Sequence, residues 1–206
     1  MLKSINIGGD TMKDMIKNNP IEYMAKYLLD RNIKYIKDEL DGIPRITTAL
    51  RGFDNCPQSV IECSASYYEG KNAVELRVYY GEDTRKIVRN SKYVNELYRL
   101  LNFINAKVFV ENNDGSNGTV YMPSYIIQPR FYLIDEFYDL TATILMDDSI
   151  FFEMPLEVAD FITITIPSLL DKLAIYIFGV LLGHIPVEHA ITLIKSDLLG
   201  EKMWEE

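Results

Sequence analysis

Only two imidazoles occur in the chain, His184 and His189, in the run His184-Ile-Pro-Val-Glu-His189. Five apart on a helix they point to different faces, and Pro186 lies between them. A zinc-protease pair sits four apart with a glutamate after the first histidine. Both are therefore read as structural. Cys56 and Cys63 have no neighbouring Cys or His to complete a metal set and are read as buried, reduced thiols. No serine occupies a Gly-x-Ser-x-Gly elbow, and no glycine run has the spacing that cradles phosphate; Gly8-Gly9-Asp10 is too short. Carboxylates do cluster, as Asp135, Glu136 and Asp139 and as Asp147 and Asp148. Such pairs could hold a divalent cation or share a proton, but EF-hand spacing is absent, and acids at strand-turn boundaries are common. No catalytic residue, cofactor or metal site is expected.

Two further groups could bind macromolecules. Arg85, Lys86, Arg89, Lys92 and Arg99, with Tyr93 and Tyr98 among them, have the composition of a single-strand nucleic-acid site. The formal net charge of −9 opposes that use, and the stripe is expected to pair with acids of its own chain or of a twin. Of the 14 tyrosines, Tyr67, Tyr68, Tyr79, Tyr80, Tyr125, Tyr132 and Tyr138 recur in strand-like runs, where they either fit the pleat or offer large contact area to a protein partner. The residues selected as a partner surface are Tyr67, Tyr79, Tyr132, Asp135, Glu136 and Asp139.

The elements that must position these groups follow from periodicity. Asn19 and Pro20 mark a helix start, and Ile21, Met24, Ala25, Leu28, Ile33, Ile36 and Leu40 continue one apolar face until Asp41-Gly42-Ile43-Pro44. The period then becomes two. Arg45 to Phe53 reads as a strand; Ile61, Cys63, Ala65 and Tyr67, then Val74, Leu76, Val78 and Tyr80, form a hairpin around Glu69-Gly70-Lys71-Asn72. A second helix follows Asn90-Ser91, with Val94, Leu97, Tyr98, Leu101 and Ile104 as its stripe. Strand-like runs follow at 108–110, 119–127, 130–134 and 140–146, and Asp147-Asp148-Ser149 reads as a turn into a strand at 150–152. The C-terminal third opens a helix at Pro155. The β-branched run 161–166, closed by Pro167, leaves helix or strand open there, and a helix interrupted near Pro167 is preferred. A last helix begins at Pro186 and ends near Gly200.

Composition is that of one globular domain, with 48% hydrophobic and 25% charged residues in 206. Residues 1–18 are expected to be a flexible segment and 19–206 a single α+β domain. The start lacks a secretory h-region, and the most apolar stretch, 173–183, is shorter than a spanning helix, so a cytoplasmic protein without membrane contact is expected. Charge is lopsided. Residues 1–103 carry 16 Lys and Arg against 14 Asp and Glu; residues 104–206 carry 5 against 16. That half repels phosphate backbones and favours basic partners.

The order helix, three-strand meander, helix, three-strand meander, helix, carried by residues 21–38, 60–80, 93–105, 131–152 and the helix opened by Met154-Pro155-Leu156-Glu157, resembles the YbjN-like family of bacterial sensory transduction regulators. That resemblance implies an antiparallel sheet of two meanders covered by helices, similar to type III secretion chaperones, and a homodimer; the helix after Pro186 is extra. It supplies no catalytic residues. The expected function is a non-enzymatic, chaperone-like or regulatory protein-binding module of a bacterial cytoplasm, taking a basic or unfolded segment. The alternatives are a small enzyme with a dispersed carboxylate and tyrosine site, or an immunity-type inhibitor of a basic toxin.

Overall fold

The computed structural model describes residues 19–108 and 128–200, and they form a mixed α+β fold around one antiparallel sheet. In chain order the elements are α1 (Pro20–Asp30), β1 (Tyr35–Leu40), β2 (Ile43–Arg51), β3 (Val60–Tyr68), β4 (Ala73–Tyr80), α2 (Asp83–Asn90), α3 (Val94–Lys107), β5 (Arg130–Ile134), β6 (Asp139–Asp147), α4 (Asp148–Glu153), α5 (Pro155–Leu181) and α6 (Val187–Asp197). The strand order is β1-β2-β3-β4-β6-β5. Of the run expected at 108–110, Val108 closes α3, and 109–110, the run expected at 119–127 and the segment 1–18 lie outside the described residues.

α1 begins as its sequence requires: the Asn19 side chain accepts from the Ile21 and Glu22 N–H groups at 2.9 and 3.3 Å. It ends eight residues before the expected Asp38. Asn32 adopts φ 56°, and the Ile33 N–H returns to the Leu28 carbonyl at 2.9 Å, a left-handed closure that asparagine tolerates. Tyr35–Leu40, read as helix from the spacing of Ile33, Ile36 and Leu40, is instead a strand paired with β2. Asp41-Gly42 is thus the turn of a hairpin, with both residues at positive φ (53° and 77°), as a two-residue I′ turn needs. The first meander has four strands, not three.

Register fixes the layers. Ile46, Ala65, Leu76 and Ile144 lie in one cross-strand row, and every strand residue of the hydrophobic core shares their face. Leu28 of α1, Leu97 and Ile104 of α3, Phe151 of α4, and Val158, Leu170 and Ile177 of α5 belong to the same core. Burying each such side chain contributes about 1.5–3 kcal/mol.

The second half departs from expectation twice. Residues 148–153 form α4 rather than a strand, because the Asp147 carboxylate accepts from the Ser149 N–H at 2.9 Å and caps a helix. The β-branched run 161–166 is helical, as preferred, but the interruption expected near Pro167 does not occur. Phe161–Thr165 is a π-turn inside α5, with the Ile166 N–H bonded to the Phe161 carbonyl. The next donor in that five-residue spacing would be at 167, which is proline and has no N–H. The Ile162 carbonyl instead accepts the buried Cys63 thiol at 3.3 Å. α5 therefore runs unbroken for 27 residues. By length and composition it could cross a membrane, but 56% of its most apolar window is buried within the fold. α6 packs on it through Val187, Ala190 and Ile194, all at most 2% exposed.

Candidate functional site

The face of the sheet opposite the core is polar and aromatic. Alternation places Arg45 on β2, Glu62, Ser64, Ser66 and Tyr68 on β3, Glu75, Arg77 and Tyr79 on β4, Thr141, Thr143 and Leu145 on β6, and Arg130 and Tyr132 on β5. None of them enters the hydrophobic core. Tyr79 stands opposite Glu62 on one side and Thr141 on the other, and Thr141 stands opposite Tyr132. The two tyrosines thus flank Thr141, which they help leave 1% exposed.

Most of this face is internally bonded. Tyr132 accepts from the Thr143 hydroxyl at 3.0 Å. Glu75 receives the Tyr68 hydroxyl at 3.0 Å on one oxygen and Arg77 Nη2 at 2.9 Å on the other. Arg77 Nε is buried without a hydrogen-bond partner among the described residues. Arg45 grips Asp38 with Nε and Nη2 at 2.9 and 2.6 Å, which holds that carboxyl below its usual range. Burial, then the charge and hydrogen bond of Glu62, raise the Tyr79 phenol, so it stays a neutral donor. This is a surface of phenols and charge pairs that hold one another in place.

The selected residues separate. Tyr79 and Tyr132 come together on this open face. Tyr67 was expected beside them, but period two turns it and Tyr80 into the core, and its hydroxyl donates to Asp148 at 2.9 Å. Burial first, and that hydrogen bond second, push its phenol up to about 12. Asp135 and Glu136 lie in the β5–β6 turn and Asp139 opens β6. There the acidic cluster meets the basic one. Arg85 holds Asp139 through Nε and Nη2 at 2.5 and 3.3 Å, Arg89 lies 5.0 Å over the Tyr138 ring, and the Tyr98 hydroxyl donates to Asp135. Glu136 is exposed. Lys86 pairs with Asp83 and Arg99 with Glu188. The two clusters meet through Arg85 and Tyr98, and the other basic residues find partners elsewhere in the chain.

Arg45, Glu75 and Arg77 were missed as candidates, and Tyr68, weighed with the other strand tyrosines, was left out of the selected set. The signal was present in the alternation that set Glu75, Arg77 and Tyr79 off the apolar face of β4.

Two surface grooves among the described residues are large enough for a small ligand. One of about 480 Å³ is lined by Arg130, Tyr132, Thr143, Leu145 and Asp147, among others; another of about 430 Å³ lies between α2 and the end of α5, at Lys86, Asn90, Tyr93 and Leu182. Neither includes Asp135, Glu136, Tyr138, Asp139 or His184. His184 and His189 are exposed, and no group of three His, Cys, Asp or Glu is placed to hold a metal among the described residues. Burial raises the thiols of both Cys56 and Cys63 far above their usual range, and a hydrogen bond to Asp171 adds to the shift at Cys56.

No family, curated protein or solved structure matches the chain.

Proposed function

We propose that the chain is a non-enzymatic protein-binding module, chaperone-like or regulatory, of a bacterial cytoplasm, and that it works as a homodimer. The resemblance to YbjN-like regulators belongs to the same proposal. One observation carries the reading: the helices of the described residues pack on one face of the sheet, leaving Tyr68, Tyr79, Tyr132, Glu62, Glu75 and Arg77 side by side on the other. Tyrosines give contact area at small entropic cost, and their hydroxyls orient a polypeptide. The carboxylates and the overall charge of −9 favour a basic or unfolded segment. In the homodimer, α6 is an internal element, so the twin takes another surface.

Fluorescence anisotropy with a labelled basic peptide and with a reduced, carboxymethylated carrier protein tests the reading. Binding is expected to weaken roughly tenfold or more in Tyr79→Ala/Tyr132→Ala, since two central aromatics are removed. Tyr79→Phe/Tyr132→Phe, which keeps the rings, controls for folding. No binding to either probe, or binding indifferent to the alanine pair, would overturn the open-face site.

A further inference from the structure

The two edges of the sheet are finished differently. β5, five residues long, is tied to α3 through Asn105. β1, six residues long, pairs with β2 on one side and with no strand among the described residues on the other. An unpaired strand edge is a template for another strand, and proteins usually blunt it with proline, a bulge or charged side chains, lysine above all; of the three charges on β1, Lys37 and Asp38 are already paired within the chain. β1 has no proline, and its six residues pair with β2 without a bulge. Its one lysine is turned aside: Lys37 Nζ bonds Glu22 of α1 at 2.6 Å. Ile36 and Leu40 stand on the open face at 67% and 52% exposure.

The strand is complementary to itself. When two copies pair antiparallel about a two-fold axis normal to the sheet, residues of like face stand opposite each other. With the axis at Asp38, Ile36 meets Leu40 of the second copy on the open face, and Lys37 meets Glu39 of the second copy on the other. The two Asp38 carboxylates then face one another, each already held by its own Arg45 through two hydrogen bonds. Moving the axis to Lys37 sets Ile36 against Asp38 of the second copy, and moving it to Glu39 sets Asp38 against Leu40, so either shift loses both the Ile36–Leu40 and the Lys37–Glu39 match. Moving it to Ile36 places Leu40 against Asn32, where the left-handed backbone has left the strand.

We propose that β1 pairs antiparallel with β1 of a second copy, centred on Asp38, so that two sheets become one continuous sheet with one shared open face. This rests on the homodimer reading and deepens it by naming the surface.

Sedimentation equilibrium of the full chain across the micromolar range tests it, with far-UV circular dichroism as the folding control. The full chain is expected to dimerise. Lys37→Glu or Glu39→Lys alone sets two like-charge pairs across the axis and is expected to weaken association roughly tenfold. The double exchange Lys37→Glu/Glu39→Lys restores it. Asp38→Cys is expected to cross-link to its twin under mild oxidant, because directly opposed strand residues lie within disulfide reach. A monomer throughout would sink both the homodimer and this interface. A dimer indifferent to both single changes would sink the β1 interface and leave a homodimer through another surface. Failure of the double exchange to restore association, or of Asp38→Cys to cross-link, would sink the Asp38 register.

Discussion

Asn105 and Phe131 bond each other in both directions: the Asn105 side-chain amide donates to the Phe131 carbonyl at 2.8 Å and accepts from the Phe131 N–H at 2.8 Å. One side chain thereby satisfies both backbone groups of an edge-strand residue and fastens β5 to the last turn of α3. Asn105→Ala removes both bonds and is expected to cost about 2 kcal/mol in urea unfolding. Asn105→Asp keeps the acceptor only, and its carboxylate faces a carbonyl, so it should rescue little. If either variant unfolds like the parent, the pair is ornamental.

Gly183 follows α5 at φ 71°, and a Cβ there would clash with the Cε2–Cζ–hydroxyl edge of the Tyr93 side chain. Gly183→Ala therefore combines left-handed strain with a steric clash, and about 3 kcal/mol of destabilisation is expected. Tyr93→Ala in that background should recover the clash but not the strain. Purely additive losses in the double-mutant cycle would show that the ring simply moves aside.

Cys63→Ala leaves the Ile162 carbonyl of the π-turn without a donor in a buried site and is expected to cost about 1–3 kcal/mol. Cys63→Ser keeps a hydroxyl donor and should lose less. An equal loss in thermal unfolding would mean that packing, not the thiol hydrogen bond, sets the cost at this position.

Tyrosine ionisation should limit alkaline stability. Burial, then hydrogen bonds to Asp160, Asp148 and Asp197, push the phenols of Tyr27, Tyr67 and Tyr176 up to about 12, and the Tyr80 phenol goes well above its usual value of 10. The folded state then keeps protons that the unfolded chain releases. The stabilisation is complete below pH 10 and falls as pH rises through 10 to 12. Phenolate absorbance should rise late, together with loss of circular dichroism. A smooth titration of all 14 tyrosines near 10, without unfolding, would contradict the burial argument.

The α+β class, β2, β3, β4, β6 and the cores of α1 and α3 were legible because each alternates or repeats against a single buried face. β1 was not: five of its six residues are exposed, so no burial pattern marks it, and the chance spacing of Ile33, Ile36 and Leu40 copied a helix. At 161–166 local β-branching lost to tertiary packing, since Phe161, Ile162 and Thr163 are all buried in α5. α2 was missed because its eight residues are mostly polar. The tyrosines could be listed but not sorted by face without the register. The link between Arg85 and Asp139 crosses 54 positions and leaves no local trace.

The pairing of β4 with β6 has a consequence for how the molecule is made. Tyr79 meets Thr141 only after the chain has passed through α2, α3 and residues 109–127. During synthesis the four-strand meander can zip up by hairpins as it leaves the ribosome, while the growing edge of β4 waits. For that interval the nascent chain carries two open strand edges, β1 and β4, and the second closes only when residues up to Asp147 have emerged. The strand order of the sheet is therefore completed only at β6, while its apolar face waits for α5, and a ribosome stalled before β6 would hold a chain with two open strand edges.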